Sequence, residues 1–122
     1  MKIKALVVED NRMNSRLIKF VLEQENFEVL VSKSAEEAIV IAGSERPDII
    51  LMDVQLPGMD GLEATGLLKN NPATARIPIV AITAHAMHGD QERVRAAGCE
   101  GYISKPINTR ELAAIIEGHL NK

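Results

Sequence analysis

Five short runs rich in β-branched residues alternate with segments of helical spacing along the whole of this 122-residue chain. No other feature restricts its fold as strongly. The runs are Ile3–Val8, Phe27–Val31, Asp48–Met52, Ile77–Ile82 and Gly101–Ser104. Within them, stretches such as Ile49-Ile50 and Ile79–Ile82 do not alternate with polar residues, the pattern of strands buried on both faces of a parallel sheet. Between the runs, Ala35, Ala38, Ile39 and Ala42 recur at i, i+3, i+4 and i+7. Leu17, Ile18, Val21 and Leu22 form a comparable stripe, as do Leu112, Ile115, Ile116 and Leu120. Ser34 and Glu37 make the S-x-x-E pattern of a helix start. Gly66 weakens the helical reading of segment 62–69. Pro47 and Pro78 stand beside strand starts, where a missing N–H is tolerated.

The order β-α-β-α-β-α-β-α-β-α predicts an α/β fold, a five-stranded parallel sheet with helices on both faces. The length admits one domain, residues 1–122, with no output domain after the last helix. Composition removes several functions. Fourteen Lys+Arg against seventeen Asp+Glu, well mixed, with 2% aromatic residues and no Trp, argue against a nucleic-acid partner. The longest apolar stretches fall far short of the ~20 residues that span a membrane, and no membrane partner is expected. The start MKIKALVVED meets acid where a signal peptide would continue its apolar run. Cys99 is the single cysteine and cannot close an intrachain disulfide, which fits a reducing, cytoplasmic setting.

In sheets of this kind ligands bind beyond the carboxyl ends of the strands. Glu9 and Asp10 follow the first run, Asp53 the third, Thr83 the fourth and Lys105 the fifth. Each has a plainer reading. Asp10 or Asn11 serves as a helix cap, Asp53 as a turn residue, Thr83 as an ordinary strand residue, Lys105 as a solvated lysine. Their conjunction is harder to dismiss. Three carboxylates brought together repel by about 1 kcal/mol per pair at 4 Å in water, and by more at lower dielectric. A hard cation would relieve that repulsion, and oxygen ligands suit Mg²⁺. A lysine and a hydroxyl facing the metal point to an anion between them, for which phosphoryl is the natural candidate.

The constellation resembles the receiver domains of bacterial two-component response regulators, over essentially the whole chain. The likeness is carried by V-V-E-D-N at 7–11, M-D-V-Q-L-P-G-M-D-G at 52–61, A-I-T-A at 81–84 and Y-I-S-K-P-I at 102–107. The stretches E-D-N-R-M-N and T-A-H-A-M-H-G-D are most similar to single-domain receivers of the DivK type and to receivers carried on hybrid histidine kinases. The resemblance implies the flavodoxin-like (βα)5 receiver fold. It implies that Asp53 accepts phosphoryl from a histidine kinase or histidine phosphotransfer protein, and that Thr83 and Lys105 contact the phosphoryl group. Glu9 and Asp10, with Asp53 and the backbone carbonyl of Gln55, are the implied ligands of Mg²⁺ (or Mn²⁺). Glu9 stands where an Asp-Asp pair is commoner, a variation receivers allow. Tyr102 matches the aromatic switch position, and Lys105–Pro106 is expected to be cis.

The function expected from these residues is a signalling switch rather than a turnover enzyme. It catalyses only its own aspartyl phosphorylation and dephosphorylation, and acts as a monomer through protein contacts. The surface around 86–89, with Met87, Tyr102, Ile107 and the last helix, is expected to meet a downstream target protein or kinase. The first helix around Met13–Leu17 is expected to meet the histidine kinase. The plainer alternative makes Met87 and Ile107 ordinary core or isolated surface residues. An excised receiver of a hybrid kinase and a receiver that only scaffolds remain alternatives. From another class, so does an aspartate-nucleophile phosphatase. That last class wants a second acid two residues after the nucleophile, where Gln55 cannot serve. A flavin or nucleotide binder lacks its glycine-rich loop after the first strand. His85 and His88 are read as lining a loop rather than holding a metal, and Cys99 as a small buried residue.

Overall fold

A computed structural model describes residues 2–84 and 91–120. The apolar runs become strands β1 (Lys4–Val8), β2 (Glu28–Ser32), β3 (Ile49–Asp53), β4 (Ile79–Thr83) and β5 (Gly101–Ser104). The helices between and after them are α1 (Arg12–Gln24), α2 (Ala35–Glu45), α3 (Gly61–Lys69), α4 (Gln91–Ala97) and α5 (Leu112–Leu120). All strand pairs are parallel, in the order β2-β1-β3-β4-β5. This is the five-stranded sheet with helices on both faces expected from the sequence. The strand order changes direction at β1 and β3, and a crevice beyond their carboxyl ends is the usual ligand site of such sheets.

Side-chain alternation sorts the core into two layers. Leu6, Val8, Ile50, Met52, Ile79 and Ala81 pack against Ala35, Ala38 and Ala42 of α2, Ala64 and Leu68 of α3, and Val94 of α4. Ala5, Val7, Ile49, Leu51, Val80, Ile82 and Ile103 pack against Ile18 and Leu22 of α1 and Leu112 and Ile116 of α5. Every residue of β3 and β4 is buried, whereas the edge strands β2 and β5 leave residues partly or fully exposed. Burial of each large side chain contributes about 1.5–3 kcal/mol before entropy is counted. Leu17, placed in the buried stripe by its spacing, is instead 49% exposed. Only Ile18 and Leu22 of that stripe face the sheet squarely, since four apolar residues on a thirteen-residue helix cover a wider arc than the contact needs.

β2, β3 and β4 each extend one residue past their apolar runs, to Ser32, Asp53 and Thr83. The backbone ladder does not read side-chain polarity: Val8 pairs with Ser32, Asp53 with Ile82 and Thr83 with Ser104. At the other end the ladder starts late. The carbonyl of Pro78 accepts from Ile50 N at 2.9 Å just ahead of β4. Three helix starts lie at the carboxyl edge of the sheet. Asn11, Ser34 and Asp60 accept from the backbone N–H groups of Asn14, Glu37 and Glu63 at 3.0, 3.1 and 2.8 Å. Asn11, not Asp10, is therefore the cap of α1. The segment interrupted by Gly66 is helical after all, because Ala64 and Leu68 are buried in the core layer of the sheet and outweigh the cost of one glycine.

Candidate functional site

The carboxyl edge of the sheet gathers the residues that the strand ends carry. Glu9 leaves β1 with its N–H still bonded to Ser32 O at 3.0 Å, which turns its side chain inward; the residue is 2% exposed. Asp10, next in the chain, is exposed. Asp53 and Thr83 are the last residues of β3 and β4, at 2% and 1% exposure. Lys105 follows β5, its N–H bonded to Thr83 O at 2.8 Å. The cis Lys105–Pro106 peptide bond comes next.

Carboxylate oxygens of Glu9, Asp10 and Asp53 all lie within 4.8 Å of one another. Lys105 Nζ is 3.1 Å from Asp53 Oδ2 and 3.8 Å from Glu9 Oε1. The backbone N–H of Gln55 donates to Asp53 Oδ1 at 2.9 Å, so both oxygens of Asp53 are held from known directions. Asn14 Nδ2 donates to Glu9 Oε1 at 3.0 Å. Glu9 Oε2 is buried and has no hydrogen-bond partner among the described residues. Burial, above all, pushes the Glu9 carboxyl up to about 7. The neighbouring Asp53 carboxylate adds to the rise, while Asn14 and Lys105 oppose it. A buried carboxylate oxygen without a partner, inside a set of three carboxylates, is a donor set that suits a hard divalent cation.

The loop after β3 secures this geometry by close backbone approach. Val54 N donates to Ile82 O at 3.0 Å, and Gly61 N donates back to Val54 O at 3.2 Å. A methyl at Gly61 would overlap the carbonyl of Asp53 and the side chain of Met52. Gly58 turns the loop with φ of +75°, a conformation that glycine adopts without strain. The M-D-V-Q-L-P-G-M-D-G segment is thus a frame for Asp53 as well as its carrier.

Glu9, Asp10, Asp53, Thr83 and Lys105, spread over most of the chain, therefore meet at one edge. Of the residues expected to meet a target, Tyr102 and Ile107 lie within the described residues. Tyr102 is half-buried on β5 against the layer of α2–α4 and lines a cleft with Asn108, Glu111 and Ile115. Ile107 is half-buried against the layer of α1 and α5. It lines a separate cavity of about 430 Å³ with Asn14, Leu17, Ile18, Glu9 and Lys105. Met87, His85 and His88 lie outside the described residues. Cys99 is buried, its thiol 3.7 Å from Thr65 Oγ1 and pushed up by burial. Asn14 went unnoticed in the sequence: a polar residue in the first turn of a helix looks like any solvated side chain.

Comparison with known proteins agrees with this geometry. Residues 5–117 match the family model of the response regulator receiver domain. The chain is 44% identical over 115 residues to the polar-differentiation response regulator DivK of Brucella anthropi, covering 94% of each chain. It superposes with a TM-score of 0.92 and 34% identity on the receiver domain of a sensor histidine kinase from Pseudomonas aeruginosa PAO1, over the full length of both. That neighbour was crystallised with a magnesium ion coordinated in its active-site cleft. The chemotaxis response regulator CheY4 of Vibrio cholerae shares the fold at a TM-score of 0.91 and 24% identity, over 97% and 98% of the two chains. Among the described residues no helix is long and apolar enough to cross a membrane. With the family model covering most of its length and a curated relative this similar, the chain belongs to the response regulator receiver domains of two-component signalling.

Proposed function

We propose that this receiver takes phosphoryl onto Asp53 from a phosphohistidine of a kinase or phosphotransfer protein, and signals through phosphorylation-controlled protein contacts. The observation that carries the reading is the set of three carboxylates within 4.8 Å of one another, with the Lys105 amine 3.1 Å from Asp53. Glu9, Asp10, Asp53 and the carbonyl of Gln55 would hold Mg²⁺ (or Mn²⁺), and the orphaned Glu9 Oε2 supports that fit. When bound, the cation offsets the negative charge of the site and of the incoming phosphoryl oxygens.

The chain's own residues do the rest. The Gln55 N–H and the end of β3 hold the Asp53 carboxylate in one orientation, and orientation matters more to phosphoryl transfer than intrinsic nucleophilicity. A carboxylate oxygen forms the new P–O bond while the P–N bond to the donor imidazole breaks; water later cleaves the acyl phosphate. Lys105 and Thr83 are read as the contacts to the phosphoryl oxygens, each charge-assisted hydrogen bond being worth about 1.5–3 kcal/mol. Two such bonds approach the ~5.5 kcal/mol that takes a switch from 1:99 to 99:1. The exposed stripe of Met13, Leu17 and Phe20 on α1, next to the cavity over Glu9 and Lys105, supports α1 as the face met by the phosphodonor. A downstream protein would read Tyr102 and its neighbours on β5 and α5. The reading is completed by a cytoplasmic, monomeric switch without turnover of an outside substrate.

The test is Thr83→Ala treated with Mg²⁺ and phosphoramidate beside wild type. Both are expected to gain one labile phosphoryl group by mass. The variant's amide NMR shifts around Tyr102 should move much less than those of wild type. Full shifts in Thr83→Ala would contradict the coupling, and steady turnover of an organic phosphate by wild type would favour a phosphatase instead.

A further inference from the structure

Asn14 lies in the first turn of α1, where its backbone N–H is taken by Asn11 Oδ1 at 3.0 Å. The start of the helix is thus set without its side chain. That side chain turns back over the site, and Nδ2 donates to Glu9 Oε1 at 3.0 Å. The other Glu9 oxygen, Oε2, is buried with no hydrogen-bond partner among the described residues. Leaving a buried carboxylate oxygen unmatched is costly, and a cation at the cluster is a group that would take Oε2. Lys105 Nζ, 3.8 Å from Oε1, is beyond hydrogen-bond distance of that oxygen and does not hold Glu9 in Asn14's place. Asp10 and Asp53 offer oxygens within 4.8 Å of a Glu9 oxygen.

We propose that Asn14 is a positioning residue for the cation: by occupying Oε1 it holds Glu9 in the rotamer that leaves Oε2 to the metal, and makes Glu9 a one-oxygen ligand. The inference rests on the reading of Glu9, Asp10 and Asp53 as metal ligands. Glutamate loses much rotamer freedom when fixed, and a partner that fixes it beforehand spares the metal that cost. An amide is suited to the task. It donates a hydrogen bond without adding a fourth carboxylate to the cluster or a cation beside the metal.

The experiment titrates Mg²⁺ alone into the full chain, followed by amide NMR shifts, with a thermal melt of each variant as the check on folding. Asn14→Ala and Asn14→Leu are each expected to weaken Mg²⁺ binding about tenfold. Each should raise by a similar factor the Mg²⁺ needed for half-maximal phosphorylation by phosphoramidate. Glu9→Ala should weaken binding on its own. Adding Asn14→Ala to it should change the affinity by less than about twofold, because the two residues act as one unit. Wild-type Mg²⁺ affinity in both Asn14 variants, with Glu9→Ala weakened, would overturn the positioning role. So would losses that multiply in the double variant. Wild-type affinity in Glu9→Ala would instead remove Glu9 from the metal site, and this inference with it.

Discussion

Glu9 shows how a single residue's environment becomes a measurable property. Its carboxyl is raised from an ordinary 4.5 to about 7, first by burial and then by Asp53. A raised folded-state value means that folding favours the protonated form. The stability Glu9 contributes is present in full below about 4.5 and is lost as the pH rises through about 7. Metal-free protein should therefore lose stability across that window, and Glu9→Gln, which carries no charge, should flatten the loss. Near pH 8 without metal, Glu9→Gln should melt higher than wild type by about 4 °C, corresponding to roughly 1 kcal/mol. Melting curves in EDTA across this pH range check it; equal slopes for the two proteins would contradict it. At this scale the sequence was readable where the ladder imposes order. Glu9, Asp53, Thr83 and Lys105 stand at strand ends, and counting past each apolar run finds them. Asn14 was not readable, because its role depends on a side chain turning back across five residues to Glu9. The choice between Asp10 and Asn11 as helix cap was open for a similar reason: both can cap, and only the hydrogen bond to Asn14 N decides.

Among the elements, α3 and the loop before it show how two glycines of one helix differ. Gly61 abuts the Asp53 carbonyl and Met52, whereas a methyl at Gly66 would meet nothing within 4 Å. Gly61→Ala must displace backbone and should cost about 1–3 kcal/mol, with slower phosphorylation because the frame around Asp53 shifts. Gly66→Ala should stabilise by about 0.4–1 kcal/mol through a less flexible unfolded chain, with phosphorylation unchanged. Urea melts and phosphoramidate kinetics on the two variants separate these outcomes; equal effects would mean that Gly61 is not a close-approach position. The sequence marked Gly66 as the weak point of this helix and did not single out Gly61. Propensity is legible residue by residue, but close approach between a helix start and a strand end exists only after folding. The strand ends were displaced by one residue for a related reason. Apolar runs report burial, whereas the ladder that defines β2, β3 and β4 continues through Ser32, Asp53 and Thr83.

The whole molecule joins a rigid base to a polar edge. At the end of the sheet away from the site, Lys69 Nζ meets Glu100 Oε2 at 2.7 Å and Ile77 O at 2.8 Å, and Glu100 Oε1 accepts from Ile79 N at 2.8 Å. This ties α3, the start of β4 and the turn before β5 together. The opposite edge keeps three carboxylates and a lysine facing one another. The architecture was legible because five short apolar-rich runs separated by helical segments fit a parallel sheet with both faces covered. Sequence proximity to Thr83 and Lys105 did not say which layer Tyr102 and Ile107 join. Tyr102 and Ile107 join different ones. The central claim is that Asp53, held at the carboxyl edge among these groups, is the phosphoacceptor and needs a divalent cation. Intact-mass measurement after incubation with phosphoramidate tests it most directly, on wild type with Mg²⁺, wild type with EDTA, and Asp53→Asn with Mg²⁺. A single phosphoryl group on the first alone is the expected result, while an equal adduct in EDTA or in Asp53→Asn would contradict the claim.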